Sequence, residues 1–184
     1  MSEWNIPGGR LDAHELERFE STVLPHLDAA YTLARYLTRN DQDAEDVVQE
    51  SCLRALRHFG GFRGSEPHSA RAWLLTIIRN TTSSWRGRQA RAVVTEFDEV
   101  VHSEAIADRH PESLLHRRAT RESLRQALDR LPSEFREAII LRELQGLSYK
   151  EISEVAGVPV GTVMSRLSRA RARLQETLGE VEER

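Results

Sequence analysis

The sequence predicts an all-α protein of two small helical domains joined by a flexible acidic linker. Three observations predict it. Apolar residues recur at helical spacing along most of the chain, with no convincing strand pattern. That spacing fails from Val93 to Glu112, where acids and a His110-Pro111 step replace it. Near the C-terminus, a capped short helix, a glycine turn and an arginine-rich helix follow one another.

A length of 184 residues suits one medium domain or two small ones. With 39% hydrophobic and 30% charged residues, the chain is globular rather than disordered. No run of 18 apolar residues exists, so no spanning helix is expected. Met1–Arg10 lacks the apolar core of a signal peptide. Cys52 is the single cysteine and can form no internal disulfide, which points to a reducing cytoplasmic location.

Residues 1–11 read as an N-terminal tail and 12–91 as the first domain. Pro25 breaks a longer N-terminal helix, after which Leu27, Ala30, Tyr31, Ala34 and Leu37 mark one apolar face. Asn40 and Asp41 offer a cap to the next helix, and Asp43 and Glu45 favour its first turn. That helix is expected to bury Ala44, Val48, Cys52, Ala55, Leu56 and Phe59 and to stop at Gly60-Gly61. Cys52 reads as a core residue rather than a redox sensor. A polar loop, Arg63–Ser69, leads to a helix with Ala70, Trp73, Leu74, Ile77 and Ile78 on one side. Residues 92–112 form the linker, 113–180 the second domain and 181–184 a tail. In the second domain Leu124, Ala127, Leu128 and Leu131 lead to Pro132. Phe135, Ala138, Ile139 and Leu144 then lead to Gly146.

The net charge of −3 is unevenly spread. Residues 41–50 hold five acids and no base, whereas 61–92 hold six arginines and one acid. Residues 162–174 hold four arginines and no acid. A polyanion responds to such local fields more than to the sum.

The most specific motif is a helix-turn-helix. Ser148 and Glu151 have the spacing of a capping box, and Gly157 ends the short helix where positive φ is needed. Val158-Pro159-Val160-Gly161 makes the turn. The second helix, from about Gly161 to Leu178, carries Val163, Leu167, Ala170 and Leu174 on its inward stripe. Its other face carries Thr162, Ser165, Arg166, Arg169 and Arg173, a donor-rich surface for base edges and phosphates. The N-terminal part of such a helix reaches deepest into the groove, so Arg166 is the candidate for a base and Arg173 for a phosphate.

Two segments identify a family resemblance. Asp43-Ala44-Glu45-Asp46-Val47-Val48-Gln49-Glu50 resembles the acidic signature of sigma factor region two. Val158 to Arg171 resembles the recognition helix of region four in extracytoplasmic-function (group IV) sigma factors. Between them, Phe62-Arg63-Gly64 and Ala72–Asn80 resemble the promoter-melting part of region two, and Leu131–Arg136 the opening of region four.

The resemblance implies a non-catalytic initiation subunit without a cofactor, whose partners are core RNA polymerase, promoter DNA and an anti-sigma factor. It implies that Asp43, Asp46, Gln49 and Glu50 bind polymerase. They lie off the apolar face, with no internal basic partner expected. It implies that Arg63, Arg79, Asn80, Arg86 and Arg88 meet the minus-ten element. It further implies that Thr162, Ser165, Arg166, Arg169 and Arg173 meet the minus-thirty-five element. From the residues alone Asn80 is equally an ordinary surface amide, and Trp85 suits either base stacking or packing under the DNA backbone. Trp73 reads as core. Glu96, Asp98 and Glu99 read as part of a solvated tether, which as a whole could imitate RNA phosphates inside the polymerase.

Two other readings compete. A free-standing dimeric regulator would need a sensor or dimerisation domain, and 12–91 offers no signature of one. A helical adaptor would leave the basic face of the second helix unexplained. The seven histidines are scattered away from Cys52, so no metal site is expected, and no nucleophile–base pair is visible.

Overall fold

The computed structural model describes residues 4–6, 9–64, 67–92 and 122–182. The linker 93–112, with Glu96, Asp98 and Glu99, lies outside them, as do residues 113–121. The chain divides into two compact units, one built on the helices up to residue 92 and one on those from 122.

A short antiparallel hairpin opens the first unit, where no strand was expected. Strand β1 (Trp4–Ile6) pairs with β2 (Gly9–Leu11), with Ile6 opposite Gly9. Strands of three residues are too short for an alternating pattern to announce them.

Helix α1 (Ala13–Val23) starts where the Asp12 carboxylate accepts from the Glu15 N–H at 2.7 Å. A 3₁₀ turn at Leu24–His26, containing Pro25, separates it from α2 (Leu27–Thr38). In α2 the buried face is Ala30, Leu33, Ala34 and Leu37, and Tyr31 is exposed. Because α2 packs on both α3 and α4, its buried face is rotated toward Leu33.

Helix α3 (Asp41–His58) is capped by Asn40, whose side chain accepts from the Asp43 N–H at 3.0 Å. It buries Ala44, Val47, Ser51 and Ala55, one position away from the expected Val48 and Cys52. Three of these four are small, which lets neighbouring helices approach closely, whereas Val48, Cys52 and Leu56 are half-buried. Burial nonetheless pushes the Cys52 thiol up.

A 3₁₀ turn at Phe59–Gly61 follows, and α4 (Pro67–Ala92) starts inside the stretch read as a loop. Proline suits a first helical turn because its missing N–H has no helical partner there. Ala70, Leu74, Leu75, Ile78, Thr81 and Thr82 are the buried face of α4. Phe62 and Trp73 have ring centroids 4.8 Å apart, and Phe59 contacts Phe62 at 5.9 Å and Phe19 at 5.3 Å. Trp73 thus belongs to an aromatic cluster, in line with its core reading. A side chain at Gly64 would meet the Phe62 ring and Ser69 Oγ at 2.4 Å, so the Phe62-Arg63-Gly64 segment needs its glycine for close packing.

In the second unit, α5 (122–130) leads to α6 (Ser133–Ile139), which runs into a π turn at Ile140–Leu144. Helices α7 (Tyr149–Ala156) and α8 (Val160–Glu182) complete it. The core includes Leu128, Leu131, Ile139, Leu141, Ile152, Val163 and Leu167. Leu124 and Leu144, expected inside, are exposed. At Leu144 the cause is the π turn: its extra residue rotates the chain, so Gln145 and Leu147 turn inward instead.

Arg136 is fully buried. Its guanidinium donates to the carbonyls of Leu128 (2.8 Å), Leu131 (2.7 Å) and Asp129 (3.1 Å), so it satisfies the C-terminus of α5.

Candidate nucleic-acid and polymerase interfaces

Helix α7 begins with a complete capping box. Ser148 Oγ accepts from the Glu151 N–H at 3.2 Å, and the Glu151 carboxylate accepts from the Ser148 N–H at 2.7 Å. It ends at Gly157, with φ of 64°. Ser153 Oγ donates to the Val158 carbonyl at 2.6 Å and pins the turn from the helix side. Val163, Leu167 and Ala170 are buried, which sets the roll of α8 about its axis.

That roll places the candidate DNA readers unequally. Ser165 and Arg169 are exposed, whereas Thr162 and Arg166 lie half-buried on one flank. Arg173 is exposed, with its guanidinium 5.1 Å from the Phe135 ring centroid. Arg171 is held by Glu143 at 2.8 Å. Met164 and Ser168, absent from the sequence-based set, are exposed on the other flank.

On α3 the outward residues are Gln42, Glu45, Gln49 and Leu53, with Asp43, Asp46 and Glu50 half-buried beside them. The acidic face does have internal basic partners, contrary to expectation. Glu50 accepts from Arg54 one turn on and from Arg88 of α4 at 2.8 Å. Burial raises the Glu50 carboxyl pKa, but the hydrogen bonds from Arg88 and Arg54 outweigh it and hold the group below the usual carboxylate range. Asp41, at the head of the helix, pairs with Arg35.

Residues 22–92 match the sigma-70 region 2 family and residues 121–174 match sigma-70 region 4. The chain is 34% identical to the RNA polymerase sigma-H factor of Pseudomonas aeruginosa over 178 residues, 92% of this chain and 90% of that one. It is 35% identical to the ECF RNA polymerase sigma-E factor of Salmonella typhimurium over 149 residues, 77% of this chain and 76% of that one. The chain belongs to the extracytoplasmic-function (ECF) sigma factor family. It is also 34% identical over 167 residues to the ECF sigma factor SigE of Mycolicibacterium smegmatis, covering 91% of this chain but 64% of that relative's length. The sigma factor RpoE of Bartonella quintana, solved in complex with the anti-sigma factor NepR, superposes with a TM-score of 0.74 at 34% identity. That match covers 89% of this chain and 98% of RpoE. CnrH, solved with the cytosolic domain of CnrY, superposes with a TM-score of 0.61 at 28% identity, covering 90% of each chain.

Within region two, Asn80 and Arg63 are exposed, and Arg79 Nη1 approaches Asn80 Oδ1 at 3.4 Å. Arg86 and Arg88, two of the minus-ten candidates, reach partners on other helices. Arg86 donates to the Leu37 carbonyl near the end of α2, and Arg88 holds Glu50. The Arg88 guanidinium also lies 5.6 Å from the Trp85 ring centroid, so Trp85 packs against a cation. The Arg136 and Arg86 contacts were missed because their acceptors are backbone carbonyls, which no side-chain pattern announces. No helix among the described residues is long and apolar enough to cross a membrane.

Proposed function

We propose that this ECF sigma factor binds core RNA polymerase and directs it to specific promoters, itself making no bond. The observation that carries this reading is the pairing of an acid-lined α3 in region two with an α8 in region four whose residues 162–174 hold four arginines and no acid. The proposed boundaries are 12–91 for region two, 92–112 for the linker and 113–180 for region four.

In this reading Asp43, Asp46, Gln49 and Glu50 dock on a basic surface of the polymerase. Asn80, Arg63 and Arg79 take part in opening the minus-ten element. Arg86 and Arg88 act there only by exchanging their internal partners for phosphates. Ser165, Arg169, Thr162, Arg166 and Arg173 meet the minus-thirty-five element, with Ser165 and Arg169 best placed for base edges.

Run-off transcription with purified core polymerase tests the proposal. Promoter-specific transcripts should require the chain, and transcription unaffected by its addition would overturn the reading.

The RpoE–NepR and CnrH–CnrY complexes support control by an anti-sigma protein, acting in the cytoplasm. Co-purification from the native host followed by reconstitution tests this. At least one co-purifying protein should inhibit transcription and compete with core polymerase. If none does, control of this kind is excluded.

A further inference from the structure

Among the described residues of α8, Met164 is the most exposed large apolar side chain, at 54%, although Val163 beside it is 1% exposed. It lies about one turn from the start of the helix at Val160, in the part of a recognition helix that approaches base edges. Residues four apart form rows along a helix. The row Met164–Ser168–Ala172 is exposed throughout, and the adjoining row contains Ser165, Arg169 and Arg173, also exposed. Thr162 and Arg166, on the opposite flank, are half-buried. The outermost ridge therefore lies between Met164 and Arg169, displaced from the arginine flank that the sequence pattern favours.

An exposed methionine on such a ridge offers an apolar contact to a partner. The surroundings select which kind. Residues 162–174 contain four arginines and no acid, which favours a polyanion over an apolar protein surface. The one apolar group that the major groove displays is the C5 methyl of thymine. A thioether on an unbranched, flexible side chain adapts to such a contact.

We infer that Met164 is a specificity-determining residue of region four, reading a thymine methyl in the minus-thirty-five element from the side of the ridge opposite Arg169. The inference rests on the proposed promoter reading. It adds a residue and a base to it.

The test uses reconstituted holoenzyme on linear promoters in which each thymine of the minus-thirty-five element, on either strand, is replaced in turn by deoxyuridine. That exchange removes only the methyl group. Wild-type holoenzyme should initiate about fourfold less at one such position, the worth of burying one methyl. Met164→Ala should transcribe the thymine and deoxyuridine templates equally there, and Met164→Leu should keep the discrimination. No response of the wild type to any deoxyuridine, or an unchanged response in Met164→Ala, overturns the inference and leaves the face open to a protein partner. If the wild type is indifferent to scrambling of the entire minus-thirty-five element, the promoter reading of region four fails first.

Discussion

Glu50 and Arg88 form an ion pair at 2.8 Å between α3 and α4, joining a residue proposed to face polymerase to one proposed to face promoter DNA. The pair is partly exposed, and such pairs contribute only about 0.2–1 kcal/mol. A carboxylate whose pKa is lowered in the folded state stabilises it above the unfolded carboxyl value, and that contribution is lost as pH falls through the folded value. Glu50→Gln should therefore cost little at neutral pH and make stability less sensitive to acidification below about pH 4. Urea denaturation across a pH series checks it. Identical pH dependence for both proteins would contradict the brace.

Polymerase docking is best tested by charge reversal at Asp46 and Glu50 together. Two partly exposed pairs at about 0.2–1 kcal/mol each predict a loss of affinity from about twofold to about thirtyfold. Glu50 also holds Arg54 and Arg88, so Asp46→Lys alone serves as the variant that leaves the brace intact. Pull-down with core polymerase, alongside thermal melts of each variant, separates docking from folding. Unchanged affinity for the double variant would remove α3 from the interface.

Asn80 is exposed on a helix whose buried face is otherwise apolar or threonine. Extruding a base from duplex DNA costs a few kcal/mol, which a receiving site must offset. Asn80→Ala should reduce open-complex formation on duplex promoters more than on templates already melted at the minus-ten element. Permanganate footprinting on both templates decides it, and an equal loss on the two would point to docking or folding instead.

The three arginines on the proposed DNA face of α8 should behave differently. A bidentate arginine–guanine contact is worth about 1–3 kcal/mol of discrimination, whereas a lost phosphate contact weakens all sequences alike. Arg169→Ala should flatten the ranking of minus-thirty-five variants. Arg173→Ala should lower all of them together, and half-buried Arg166 should rank between the two. A promoter panel at fixed salt measures this. A full ranking retained by Arg169→Ala, but lost in Arg166→Ala, would return the reading role to Arg166.

The capping box and Gly157 set the geometry of the motif. Ser148→Ala should destabilise region four by about 0.5–2 kcal/mol. Gly157→Ala should cost about 1–2 kcal/mol, because its φ of 64° is strained for any residue with a Cβ. Chemical denaturation of the full chain followed by a probe in α8 measures both. Two unperturbed variants would mean that tertiary packing alone holds α7.

Much of this architecture is local and therefore legible in the residues. Asn40, Ser148, Glu151 and Gly157 act within a few positions of themselves, and each takes the role its chemistry suggests. The inward stripe of α8 was equally plain, since Val163, Leu167 and Ala170 differ sharply from the arginines around them. The phase of α3 was not, because Val47, Val48, Ser51 and Cys52 are all acceptable inside and only the approach of α2 and α4 chooses among them.

The sequence by itself determined the helical class, the caps at Asn40, Ser148 and Gly157 and the family, because caps, turn residues and charge blocks act through neighbouring positions. Only the tertiary structure decided which charges remain available to a partner. Arg86 goes to the Leu37 carbonyl, Arg88 to Glu50 and Arg136 to the end of α5. Each partner is supplied by a different helix. A long, forked guanidinium takes whichever acceptor packing brings within reach, and a linear pattern carries no record of that choice.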